Sequence, residues 1–315
     1  MNQIINGDCF NASLLTIGRL EYMYLGGFCF SLLYSIPSVF VTYRIAEATL
    51  RKPRKLSSPF FQLFLHDRIL AMTFFAFGMI ILRFPLTGMA TQFICLVPLS
   101  FIITVSYVFI FYLNYATIYS TLALSALRVA TVLWPVDSKK YQGRLCVILL
   151  VIVYTFPFGT TWFLIPARAY FTPMDDSASV AMNYVPVFPQ WHSSLCLVFV
   201  TSITFTFDTA CFFVTASRWR TLTSGKSSLS SERSERSLLL LTCSVCISLF
   251  LNCIIQFFFY NGMFLNISFF IRGFVYDTLI LIPTWVFYLT HPVFRSSIEI
   301  QRNTIPVISA VQRRY

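Results

Sequence analysis

Asn114 to Pro135, NYATIYSTLALSALRVATVLWP, is the stretch on which the reading of this chain turns. A long apolar helix runs straight into Arg128, and Pro135 follows that arginine by seven positions in a basic, proline-closed loop. A guanidinium keeps its charge and offers five donors in a planar fork. At the end of an apolar helix it either reaches for a polar surface or holds neighbouring helices together. The residue alone leaves both open.

Composition sets the class. The 315 residues are 57% hydrophobic and 11% charged, with mean hydropathy +0.72. Soluble domains carry about 25% charged residues, so this chain cannot cover its own surface in water and reads as an integral membrane protein. Its 35 Phe and 16 Tyr suit helices that pack in lipid with rings near the interfaces. The net charge of +11 would fit a nucleic-acid binder, but the basic residues gather on one side of the spans, and no nucleic-acid partner is expected. Cysteines fall mostly in apolar runs, where thiols act as small hydrophobes. Cys243 and Cys246 form a CxxC with no second pair or nearby His, so neither a metal nor a cofactor is expected.

Outward from the quoted stretch, apolar runs of membrane length lie at about 22–43, 60–82, 95–127, 145–165, 192–217, 237–260 and 267–289. Each is near or above the ~20 residues that cross hydrocarbon. The second must include His66, Asp67 and Arg68, because Ile69 to Leu82 alone reach only ~21 Å. The third is unusually long, which predicts a tilt. Pro37 and Pro157 sit inside spans, where neighbouring helices tolerate them. Residues 1–21 read as a translocated tail, too polar before Leu14 for a signal peptide. Residues 166–191 read as a proline-rich loop and 290–315 as a second tail. The expected fold is an all-α membrane protein, a bundle of seven transmembrane helices. No internal repeat and no pair of half-helices points to a repeat-built transporter.

Basic residues orient the bundle. Arg44, Arg51, Lys52, Arg54 and Lys55 follow the first span, and Arg128, Lys139, Lys140 and Arg144 the third. Arg218, Arg220, Lys226, Arg233 and Arg236 follow the fifth, and Arg295, Arg302, Arg313 and Arg314 the seventh. Positive charge marks the inner side, so the N-terminus is expected outside and the C-terminus in the cytoplasm. Two glycosylation acceptors, Asn11 and Asn266, both fall on the expected outside.

Ionisable residues inside the bilayer are costly, ~2.5–3.5 kcal/mol each at the helix centre on insertion scales, and each asks for a partner or a wet cavity. Asp67 and Arg68 read either as a polar switch touching the third and seventh helices or as a local pair with Arg68 at the interface. Asp208 reads as the acceptor of an interhelical hydrogen bond. Arg83, Arg272 and Asp277 can together line a ligand cavity, against helix-end anchoring for Arg83. Tyr107, Tyr112, Trp162 and Phe205 are candidate pocket walls. At the inner face, Glu232 and Glu235 are candidate partners of Arg128, against charge pairing within SERSER itself.

Seven spans, an outside N-terminus, and an arginine closing the third span with proline seven positions on resemble the G-protein-coupled receptor plan. More narrowly, the chain resembles the nematode serpentine receptors of class gamma, with a sister class of that chemoreceptor superfamily also open. The resemblance rests on YSIPSVFVTYRI, SSPFFQLFLHDRI, LRFP, LALSALRVATVLWP and PTWVFYLTHPVFR in that order, and covers about residues 22–297. It implies a chemosensory receptor in the plasma membrane of a sensory cell, with a small-molecule ligand and a heterotrimeric G protein as partners. It also implies a switch at Arg128 and Pro135. The usual Asp-Arg-Tyr is Leu127-Arg128-Val129 here, the sixth span lacks proline, and Pro283 has no Tyr three positions on. The receptor plan places half of a disulfide at the start of the third span, where Cys95 stands. Residues 166–191 hold no cysteine, so Cys9 is the favoured mate and Cys196 the alternative. The contrasting function is a channel or transporter for a small solute. An enzyme is not expected, since HExxH, GxSxG and GxxxxGK[ST] are all missing.

Overall fold

A computed structural model describes residues 19–51, 58–95, 101–133, 138–174, 178–185, 187, 191–223, 229–261 and 265–294. Cys9, Asn11 and Pro135 lie outside these residues, and the side chains of Cys95, Glu232 and Asn266 are not among those described. Among the described residues, seven helices are long and apolar enough to cross a membrane. They are α1 (Arg19–Arg51), α2 (Pro59–Gly78), α3 (Phe101–Leu133), α4 (Ser138–Thr161), α5 (Trp191–Thr223), α6 (Leu229–Tyr260) and α7 (Leu265–Thr290). The chain is a seven-helix membrane bundle, and a multi-pass membrane protein.

The helix α3 is the central post. Its buried side is lined by Ala116, Thr117, Ser120, Thr121 and Ala123. Small residues let neighbouring backbones approach, which is how helices associate where lipid offers no hydrophobic drive. The core around it is aromatic and aliphatic, with Phe64, Ile110, Leu127 and Phe287 sealed inside. By contrast α1 is peripheral. Phe30, Leu33, Ile36 and Phe40 recur at helical spacing on its exposed face. In water such a stripe would be an aggregation hazard, whereas on a membrane span it is the lipid face.

Prolines mark both ends of the second span. Pro59 opens α2 at a position where its missing N–H costs no hydrogen bond. Near the other end, Met79–Arg83 forms a π turn and the helix then continues through Phe84–Leu86, which contains Pro85. A π turn inserts one residue and rotates everything after it by about 100°. That rotation re-aims the end of α2, Arg83 included. Gly88, at φ 74, ends the run. A side chain there would be strained, and its Cβ would also stand 3.2 Å from Glu21 Cγ.

Two expectations change. The apolar run places the third span at 95–127, but Cys95 closes a one-turn helix, Thr91–Cys95, and the long helix begins at Phe101. Residues 166–191, expected as loop, contain an antiparallel hairpin of β1 (Arg168–Pro173) and β2 (Val180–Val185). It is tied down at several points. The Ala178 amide donates to the buried Glu21 carboxylate at 2.7 Å, Ser179 Oγ donates to the Leu86 carbonyl at 2.6 Å, and the Ala169 amide donates to Thr104 Oγ1 at 3.1 Å. The hairpin therefore roofs one end of the bundle, and Arg128 lies near the other, ~36 Å along α3 from Thr104 at 1.5 Å per residue.

Candidate functional site

Beneath the hairpin, α2 and α7 diverge around an open-mouthed cleft with a cavity volume of about 70 Å³. Its walls are Phe74, Phe75 and Leu82 from α2 and Phe269, Tyr276 and Ile280 from α7. Ala181 of β2 forms part of the roof. Ligand clefts are mostly apolar with a few placed polar groups. Here the polar groups are Arg83, Arg272 and Asp277. The structure thus brings together the three intramembrane charges that the sequence marks out.

Arg83 and Asp277 form a two-pronged ion pair. Nη1 reaches Oδ2 at 2.8 Å and Nη2 reaches Oδ1 at 2.5 Å. The same guanidinium donates to Ser31 Oγ at 2.6 Å and to the Gly273 carbonyl at 2.7 Å. Tyr34 donates its hydroxyl to Asp277 Oδ2. A forked pair whose other Nη hydrogens also find acceptors is the arrangement that makes a buried charge tolerable. It joins α1, α2 and α7 in a single knot. Gly273 makes the approach possible, because a Cβ there would meet Arg83 Nε at 3.2 Å. Helix-end anchoring does not describe this arginine, whose fork turns into the bundle.

Arg272 is held differently. Its guanidinium lies over the Phe259 ring at 4.8 Å and the Tyr276 ring at 5.3 Å. It donates to Tyr276 Oη from Nε at 3.2 Å and from Nη2 at 3.0 Å.

None of the four aromatics expected to wall a pocket lines this cleft, and Tyr112 lines a separate groove between α3 and α4. Tyr107 packs under the hairpin against Tyr184, ring centroids 5.5 Å apart. Tyr112 donates to the Tyr154 carbonyl at 3.0 Å on the outer face of α3 and α4, Trp162 is exposed, and Phe205 packs against Val245, Leu249 and Leu279. The cleft's own aromatic walls do not stand out in the sequence, since one Phe among 35 carries no contrast.

Toward the other end lies a second polar layer. Arg68 is 1% exposed, pairs with the adjacent Asp67, and donates to the Ile280 carbonyl at 2.7 Å and Thr284 Oγ1 at 3.0 Å. It therefore ties α2 to α7, and the alternative of a snorkelling interfacial pair is excluded. Asp208 is fully buried near Ser125 of α3, but neither carboxylate oxygen makes the expected interhelical hydrogen bond. Deeper still, Arg128 donates to the Leu238 carbonyl and to Thr242 Oγ1, clamping α3 to α6. The expected partner is a glutamate. Glu235 lies within electrostatic reach, but the bonds go to a hydroxyl and a backbone carbonyl. His291, just past α7, closes this end among Phe61, Phe287 and Phe294. Burial lowers its pKa to about 4, so the ring is neutral at neutral pH. Cys196, the alternative disulfide partner, is a free thiol.

The chain that takes this layout, a roofed cleft at one end and an arginine clamp at the other, matches in sequence a family model described as serpentine type 7TM GPCR chemoreceptor Sru over residues 23–297. The chain belongs to that Sru family. The superfamily expected from sequence stands, but class gamma does not: the class that matches is this sister class. Serpentine receptor class U-26 of Caenorhabditis elegans is 25% identical over 104 residues. That match spans 33% of this chain and 36% of the worm receptor's length. Residues 23–297, the part that matches the Sru family, contain the apolar centres of the seven long helices and both polar layers.

Proposed function

We propose that this protein is a chemosensory receptor that takes a small external molecule in the cleft beneath the hairpin and signals through the Arg128 end to a heterotrimeric G protein. The observation that carries the reading is the cleft itself, apolar-walled and bounded by a charged knot that ties α1, α2 and α7. A ligand seated there touches side chains that hold three helices together, so its binding energy acts directly on their packing. The chemoreceptor family match supports the same reading. A channel or transporter draws less support, because Asp67–Arg68 and Arg83–Asp277 are closed pairs rather than sites strung along a path. An enzyme draws none from the residues around the cleft. The experiment is a second-messenger readout in receptor-expressing cells across a panel of small molecules. Solute flux through the purified protein in liposomes, with no G protein present, would overturn the reading.

The proposed orientation puts the hairpin end outside and the Arg128 end in the cytoplasm of a sensory cell, as the basic residues indicate. A tag after Met1 is then labelled on intact cells, and a tag after Tyr315 only after permeabilisation. The reverse pattern would invert every inside and outside assignment, the acceptor role of Asn11 and Asn266 included.

A further inference from the structure

The cleft has more donors and more positive charge than its own residues consume. Tyr276 Oη receives Asn114 Nδ2 at 3.3 Å, Gln256 Nε2 at 2.9 Å, Arg272 Nε at 3.2 Å and Arg272 Nη2 at 3.0 Å. A phenol oxygen cannot accept four N–H groups at full strength. Two of these neighbours, Asn114 and Gln256, are 3% exposed, so water does not relieve the crowding. Charge is out of balance as well. Asp277 neutralises Arg83, whereas Arg272 meets no carboxylate among the described residues and leans on two rings instead. The cleft therefore carries one uncompensated guanidinium at an apolar wall.

We propose that the cleft takes a small amphiphilic carboxylate, its head on Arg272 and its apolar body between α2 and α7. This rests on the cleft being the ligand site. A planar carboxylate matches the guanidinium fork and relieves the donors now crowded on Tyr276. One negative charge closes the balance, while a dianion leaves a second charge in an apolar wall. A cationic ligand meets Arg272 first and finds Asp277 already held by Arg83 and Tyr34. The apolar body follows from Phe74, Phe75 and Phe269.

The test uses three probes of one shape, 3-phenylpropionate, its methyl ester and 3-phenylpropylamine, with the full-length receptor in nanodiscs of zwitterionic lipid. The acid is expected to bind about tenfold to a hundredfold more tightly than the ester, the range of one charged hydrogen bond, with the amine weakest. Arg272→Gln should erase the preference for the acid and leave ester binding in place, and Arg272→Lys should keep part of it. Thermal unfolding profiles show whether each variant is folded. If the ester or amine equals the acid, or the preference survives Arg272→Gln, the charge assignment is overturned while the cleft stands. If binding of all three persists when Gly78→Trp fills the cleft, the cleft reading falls and this inference with it. If none of the three binds, both are overturned.

Discussion

Arg83→Met destabilises the folded protein by about 3–5 kcal/mol, because it leaves Asp277 charged, buried and without its forked partner. Asp277→Leu does the same from the other side, leaving Arg83 with Ser31, the Gly273 carbonyl and the Phe75 ring but no carboxylate. The double variant Arg83→Met with Asp277→Leu recovers most of the loss. It removes both charges together, and apolar side chains of similar size replace a buried pair at little cost. The measurement is the thermal midpoint of detergent-solubilised protein, read beside surface abundance. Single losses within about 0.5 kcal/mol, the scale of a surface substitution, contradict the knot. So does a double variant as unstable as the sum of the singles.

The second large effect lies at the opposite end. Arg128→Ala removes the fork that clamps α3 to α6 and is expected to abolish ligand-dependent signalling at unchanged surface level. Thr242→Val removes only the hydroxyl that Arg128 engages, leaving the Leu238 carbonyl. Losing one charged hydrogen bond of about 1.5 kcal/mol moves a two-state equilibrium roughly tenfold. Thr242→Val is therefore expected to raise basal signalling, since α6 is released while the arginine remains. Signalling that survives Arg128→Ala at equal surface level makes this arginine a plain helix tie. Basal output unchanged by Thr242→Val makes the clamp irrelevant to activation.

Charge in an apolar run is conspicuous, and that is why Arg83, Arg272 and Asp277 are legible from sequence alone. Each is expensive in lipid, so each announces that something must face it. What faces it is not legible. Arg83 and Asp277 are 194 residues apart, and a π turn that periodicity does not display sets the direction of Arg83. For Arg128 the sequence suggests a glutamate because only charged partners stand out there, whereas the folded chain supplies a threonine and a carbonyl. Any residue offers the carbonyl. The hairpin hides behind Pro173, Asp175 and Asp176, which read as loop, although ARAYFT and SVAMNYV carry strand-forming residues on either side. The aromatic walls hide in sheer abundance. The span-end motifs that suggest class gamma reflect needs shared by every such bundle, basic ends and interfacial rings, and so separate the superfamily better than its classes.

A small molecule acting from the cleft between α2 and α7 is the central claim. Gly78 lines that cleft, and a Cβ at this position meets no atom within 4 Å. Gly78→Trp therefore has room to fill the cleft. The decisive measurement compares second-messenger responses to one small-molecule panel in cells carrying the wild type or Gly78→Trp at matched surface levels. Responses present in the wild type and lost in the variant are the predicted result; responses of equal size in both place the ligand elsewhere and contradict it.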